Sequence, residues 1–277
     1  MGRIDLLKQS FWIMLRHPAL WVVSLFGSVV IFTIGAIFPD GPAAAIIRLL
    51  AAFATIALTS GALISMIDSL AAGRTVTMLD GLRAGIRRMM SLALIDLILM
   101  IPTWIILVLL TRTPEAIFDS AFGQPANVQA LNALDYVDLI ANIGVLIILS
   151  IVITGALGLG AKRAVMLEDQ SIVNALRHGW RLLRAHWKDY LLIGLMMLIV
   201  AILLGTLLVF ITIQFVSSTL PNAAQSGGTI DPAMVFGIVM IVPPMLINAL
   251  IEIFASGVWT LAYRQWRTDN VITPSTD

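Results

Sequence analysis

Residues 61–85 read GALISMIDSLAAGRTVTMLDGLRAG, and residues 155–179 read GALGLGAKRAVMLEDQSIVNALRHG. Both run from Gly-Ala-Leu to Leu-Arg-x-Gly over 25 residues without a gap. Each begins inside an apolar segment, passes through a polar turn and ends in a basic segment that alternates with apolar residues. A chain written this way leaves an apolar layer, turns at its surface and returns. The pair therefore decides the fold class: a polytopic helical membrane protein with an internal repeat.

The composition agrees. Hydrophobic residues make up 59% of the 277 positions and charged residues 12%, against roughly 45–50% and about 25% in soluble domains. Mean hydropathy is +0.97. Six apolar segments are long enough to span a bilayer, at 19–38, 46–72, 91–111, 139–161, 190–216 and 234–263. Arg3, Lys8 and Arg16 precede the first of these, which is too long for the core of a signal peptide, so it reads as an uncleaved span. There is no cysteine, which excludes disulfides, thiol catalysis and Cys-ligated zinc.

Charge sets the expected orientation. Of the 17 Lys and Arg residues, 15 fall in 1–17, 73–90, 162–189 and 264–277. The opposite loops hold Asp40, Glu115, Asp119, Asp135, Asp138 and Asp231, with Arg48 and Arg112 as their basic neighbours. The positive-inside rule places the basic side, with both termini, in the cytoplasm. On the other side, 39–45 reads as a short Pro/Gly turn, 127–136 as a short surface helix and 217–233 as a flexible turn.

Three basic segments precede spans one, three and five. In the third, Val173, Leu176, Trp180, Leu183 and Trp187 recur at three and four, with Arg177, Arg181, Arg184 and Lys188 on the other flank. This predicts an amphipathic helix at the membrane–cytosol boundary. The first segment, around Leu7, Phe11, His17 and Trp21, and the second, around Arg87 and Arg88, follow the same alternation. Pro18 marks the expected break between the first such helix and its span. Gly61, Gly155 and Gly257 stand at matching points near the ends of spans two, four and six. The unit is an interfacial helix plus a two-span hairpin, used three times in parallel, at about 1–73, 74–163 and 164–267, within one membrane domain. Close helix approach in lipid needs small residues, which accounts for the glycines.

Acidic residues inside spans are costly and mark candidate sites. Asp68, Asp96 and Glu252 are the three, and Asn248 lies one turn before Glu252. These four residues form the candidate intramembrane polar site. Pairing of Asp68 and Asp96 with Arg87, Arg88 or Arg163 is the bland alternative, and Glu252 is the residue it explains least. Arg177, Arg181, Arg184, Lys188, Arg87 and Arg88 are the candidate lipid-headgroup contacts. His17, His178 and His186 read as headgroup-level histidines. No hydrolase elbow, zinc-protease, P-loop or dinucleotide motif is present, so the reading is non-enzymatic and carries no cofactor or metal. The partners expected are anionic lipids or another membrane protein, and not nucleic acid.

The segment 176–192, LRHGWRLLRAHWKDYLL, taken with the six-span layout, resembles the bacterial membrane proteins related to the membrane domain of glycerophosphoryl diester phosphodiesterases. The resemblance covers most of the chain and implies a bacterial inner-membrane protein. The phosphodiesterase barrel and its catalytic residues have no counterpart in these residues, so no catalytic position carries over. Two functions stay open: a membrane scaffold or accessory subunit that organises anionic lipid or a partner protein, and a transporter component for a small polar or lipid-like substrate. A polar cavity reaching Glu252 would favour the transporter, and side chains filling that level the scaffold.

Overall fold

A computed structural model describes residues 2–37, 42–112, 133–225 and 232–268. Among these residues the chain forms α-helices and no strand: α1 (Arg3–Arg16), α2 (Pro18–Ile37), α3 (Pro42–Ala71), α4 (Met78–Arg112), α5 (Ala133–Glu168), α6 (Ile172–Ala185), α7 (Trp187–Gln225) and α8 (Pro232–Thr268). Six of them, α2, α3, α4, α5, α7 and α8, are long and apolar enough to cross a membrane. Of the turn expected at 39–45, residues 42–45 instead open α3, where Pro42 is tolerated in the first turn, and the rest lies outside the described residues, as does most of the surface helix expected at 127–136.

Prolines open α2, α3 and α8. At the first helical position the missing N–H has no partner to lose. His17 takes a non-helical conformation before Pro18, so α1 and α2 separate where the sequence places the break. The same separation occurs at His186 between α6 and α7 without a proline. The middle basic segment behaves differently. It joins its span in one continuous α4, because nothing between Met78 and Arg112 removes a backbone donor except Pro102, deep in the helix. α7 also runs on to Gln225, through positions expected to belong to a turn; Ala223, Ala224 and Gln225 are good helix formers.

Helices α3 and α8 are the most enclosed, each with half of its most apolar stretch buried. α2 packs against both of them, and α4 packs against α3 and α5. α7 lies along α8. Leu20, Val23, Leu63, Ile67, Ile253 and Tyr263 are fully or almost fully buried in the main core. Leu92, Ile95, Ala161 and Val165 fill a second core between α4 and α5.

The tightest crossings fall at small residues. A Cβ on Gly85 would meet the Leu58 carbonyl oxygen at 2.5 Å, and one on Gly179 would meet the Leu157 carbonyl oxygen at 2.8 Å. In each case a second glycine faces the first. A Cβ on Gly61 would lie 3.2 Å from the Gly85 Cα, and one on Gly160 would lie 3.1 Å from the Gly179 Cα. At the third place, Gly257 of α8 closes on Ser10 of α1, and the Ser10 hydroxyl donates to the Phe254 carbonyl at 2.9 Å. Gly155, matched to Gly61 in the gapless alignment, has open space around it. Gly160, five residues further on, stands in its place: the turn after α5 is three residues shorter than that after α3, and Gly160 lies two residues nearer its helix end than Gly61 does.

Those turns also differ in chemistry. Gly73 takes φ +74°, the left-handed conformation that ends a helix at least cost in glycine. The Arg74 N–H then bonds back to the Ser69 carbonyl and the Gly73 N–H to the Leu70 carbonyl, both at 3.0 Å. In the shorter turn Asp169 holds φ 57°, and its carboxylate pairs with Arg88 of α4.

Candidate functional site

Polar groups gather in three places: the exposed face of α6, the end of the bundle where α3, α5 and α8 finish, and a seam along α8. The first two share the basic end of the molecule.

On α6 the face turned to the protein is Ala175, His178, Gly179 and Leu182. The apolar stripe expected from spacing lies outside this contact, with Val173, Trp180 and Trp187 exposed. The small residues pack because Gly179 admits α5 closely, whereas the large ones are left outside. Arg177, Arg181, Arg184 and Lys188 are exposed as well. The Arg184 guanidinium sits 5.3 Å from the Trp180 ring centroid, and the Lys188 ammonium 5.8 Å from that of Trp187. Arg16 and Trp12 of α1 form the same pair at 5.0 Å. Gln170, Asn174, Arg177, Trp180 and Arg181 wall an open groove of about 610 Å³. Arg87 is exposed on α4, while Arg88 turns to Asp169.

At the end of the bundle, Asp68, Arg74, Leu167, Tyr263, Arg264 and Arg267 line a cavity of about 390 Å³. Asp68 accepts from Arg264 at 3.0 Å, and Arg74 lies 3.7 Å away. Its partners are therefore on α8 and in the following turn, not on the basic segment of α4, because Arg87 and Arg88 point elsewhere. The three arginines resemble an anion site, but their charge is already balanced. Three helix C-termini bring about half a negative charge each, and Asp68 and Glu168 bring one each. Arg264 also donates to the Asp68 backbone carbonyl at 2.7 Å, as a cap would.

Behind that cavity, the Tyr263 hydroxyl donates to Glu168 at 2.6 Å and lies 3.3 Å from His178 Nε2. His178 is only 3% exposed. Burial pushes its imidazole pKa down against the opposing pull of Glu168, while Arg181 and Arg267 lower it further. It is thus a core histidine rather than a headgroup-level one. His186 stacks on Trp266 with ring centroids 5.1 Å apart. Tyr190 packs on Trp259 and Trp266 at 5.0 and 4.9 Å. Arg163, 3% exposed, donates to the carbonyls of Leu159 at 2.8 Å and Ser256 at 3.2 Å, and so ties α5 to α8. The sequence marks Arg163 only as a possible partner of Asp68 or Asp96, and it does not mark Glu168 or Tyr263, since their roles arise only where two helices meet.

The four acidic and amide candidates do not form one site. Asp96 pairs with Lys162 of α5 at 2.7 Å, a partner one residue away from the Arg163 considered from sequence. Glu252 and Asn248 lie on the α8 seam. Ser24 of α2 donates to one Glu252 oxygen, and Thr59 of α3 to the other at 3.3 Å. Asn248 reaches Ser28 of α2 at 3.5 Å. Among the described residues no group of three or more His, Asp or Glu could hold a metal ion.

No curated protein and no solved structure matches the chain. A family model described as a domain of unknown function, DUF7847, matches residues 4–266, which take in both short helices and all six apolar helices, and the chain accordingly belongs to that family.

Proposed function

We propose that this chain is a non-enzymatic membrane scaffold whose basic end lies at the cytoplasmic face and holds anionic lipid headgroups. The observation that carries the reading is the α6 groove, where Arg177 and Arg181 stand beside an exposed Trp180. Guanidinium forks match phosphate oxygens, and an indole at the boundary places its ring at headgroup depth. The exposed Val173 and Trp187 give α6 an apolar flank for the membrane, as an interfacial amphipathic helix requires.

A threefold design supports the same reading. Ser10, Gly85 and Gly179 are each the eighth residue of their helix, in α1, α4 and α6. Each meets a glycine of the span lying over it, namely Gly257, Gly61 and Gly160. Three basic helix segments would then be laid out on one membrane face around α3, α5 and α8. The resemblance of residues 176–192 to the membrane domain of glycerophosphoryl diester phosphodiesterases is in keeping with a role at phospholipid headgroups. The second reading, a transporter component, draws on the Glu252 cluster. Glu252 lies outside the walls of the α6 groove, of the Asp68 cavity and of a third cavity between α1 and α7.

The test is lipid retention. The full chain is to be purified with its native lipids, and the lipids bound to wild type and to the double variant Arg177→Gln, Arg181→Gln measured by native mass spectrometry. Each basic side chain near an anionic surface is worth about 1 kcal/mol, so two should lower anionic-lipid affinity on the order of 30-fold. Zwitterionic lipid should be unaffected. Equal retention of anionic lipid by both proteins would overturn the proposal.

A further inference from the structure

Asn248, Glu252, Ser256, Thr260 and Arg264 recur every four residues along α8. On an α-helix that spacing lays them in a stripe that winds by about 40° per rung, with rungs about 6 Å apart along the axis. Asn248 meets Ser28 at 3.5 Å, Glu252 meets Ser24 and Thr59, the carbonyl of Ser256 accepts from Arg163 at 3.2 Å, and Arg264 donates to Asp68 at 3.0 Å. Thr260 lies between these last two rungs, fully buried, and its hydroxyl has no hydrogen-bond partner. The stripe ends at Arg264, in the wall of the 390 Å³ cavity. The stripe thus runs between an open, charged vestibule and a half-buried carboxyl group within the span.

Glu252 sits about 18 Å along the helix from Arg264, and both of its oxygens face hydroxyl groups. Among the described residues no cation is paired with it. Two basic groups of α5, which packs against α8, are otherwise engaged. Lys162 of α5 is the one whose charge acts on Glu252, and it is held by Asp96 of α4 at 2.7 Å. Arg163 of α5 is bonded to two carbonyls. α2 and α3 turn Ser24, Ser28 and Thr59 toward the stripe, α1 contributes the Ser10 hydroxyl at Phe254, and α7 sets Tyr190 against Trp259.

We propose that Glu252 is a proton-binding site reached from the basic-end vestibule along this stripe. Hydroxyl neighbours suit the task because each can donate or accept. With Glu252 ionised, Ser24 and Thr59 both donate to it. With the proton bound to one oxygen, the acid donates to the hydroxyl beside it and the other hydroxyl still donates to the carbonyl oxygen. Neither state leaves a buried polar atom unpaired. The proton comes from water in the vestibule and returns to it by the same path, with the free Thr260 hydroxyl as the first buried rung. A 6 Å step is what one bridging water spans with two hydrogen bonds.

The test uses the full chain in lipid nanodiscs. Infrared spectroscopy is to be recorded across pH 5 to about 9 on wild type, Glu252→Gln, Asp96→Asn and Thr260→Val. A carboxylic C=O band that titrates should be present in wild type and in Asp96→Asn, and absent from Glu252→Gln. Hydrogen–deuterium exchange of that band should slow at least about tenfold in Thr260→Val, with the band intensity unchanged. A band that survives Glu252→Gln, or a wild-type spectrum with no titrating carboxyl, would overturn the site. Should Glu252→Gln fail to fold, Thr260→Val decides. It only exchanges an unpaired buried hydroxyl for a methyl, and an unaltered exchange rate there would overturn the route and with it the proposal.

Discussion

Helices α3 and α7 are both long apolar spans, yet they occupy opposite environments. Half of the most apolar stretch of α3 is buried, against 6% of that of α7, although α7 has the higher mean hydropathy, 2.9 against 2.0. In water the more apolar helix would be the inner one. In lipid there is no such drive, and a helix is drawn inside by residues that let its neighbours come close. α3 carries Ala57, Gly61 and Ala62 in its buried face and receives Gly85 of α4. α7 presents Leu198, Ile202, Leu203 and Phe210 outward, and its Gly194 and Gly205 have nothing near them. Hydropathy locates a span; steric fit decides where it sits.

The sharpest way to break this contrast is to add one methyl group at each helix. Gly85→Ala places a Cβ against backbone at 2.5 Å, where neither atom can swing away, and should cost about 1–3 kcal/mol. Gly205→Ala should change stability by no more than about 0.5 kcal/mol. Equilibrium unfolding in mixed micelles reads both, and equal effects would refute the packing account. The next effect is electrostatic. The Asp96–Lys162 pair, with both side chains under one-fifth exposed, should show a coupling of about 1–2 kcal/mol in a double-mutant cycle with Asp96→Asn and Lys162→Gln. Additive single variants would show that α4 and α5 are held by packing alone. The smallest effect belongs to His178. Burial keeps its folded-state pKa below the usual 6.5, so the unfolded chain takes up the proton first. Stability is complete above that value and declines as pH falls below it toward the folded-state pKa, by at most about 1.4 kcal/mol per pH unit. His178→Gln should flatten that decline, and an unchanged pH profile would mean that Tyr263 and Glu168 do not sense the imidazole.

The sequence contains the spans because length and hydropathy are properties of one segment. The expected limits of 46–72 and 190–216 sit close to the spanning stretches Ile46–Ala71 and Trp187–Ile211. What depends on two segments was less visible. Gly155 and Gly160 are equally plausible packing residues when read along the chain, and only the packed geometry of α5 on α6, with its shorter turn, selects Gly160. On α6 hydrophobic spacing picks out a stripe that includes Trp180 and Leu183, whereas the contact with α5 falls on Ala175 and Gly179, because a close helix crossing rewards small volume. Asp68 and Asp96 were rightly marked as needing counter-charges, but Arg264 and Lys162 lie far from them in sequence. Glu252 stood out alone. Its hydroxyl partners Ser24 and Thr59 look like ordinary span residues until α2, α3 and α8 are brought together.

The bond from Ser10 to the carbonyl of Phe254 joins positions 244 residues apart. α1 leaves the ribosome ahead of all six spans, and its seat on α8 does not exist until the sixth has been inserted. Throughout synthesis this helix must therefore wait without its proper neighbour. Its docking is one of the last long-range events in assembly, and a chain halted before α8 carries an unfilled contact that marks it as unfinished.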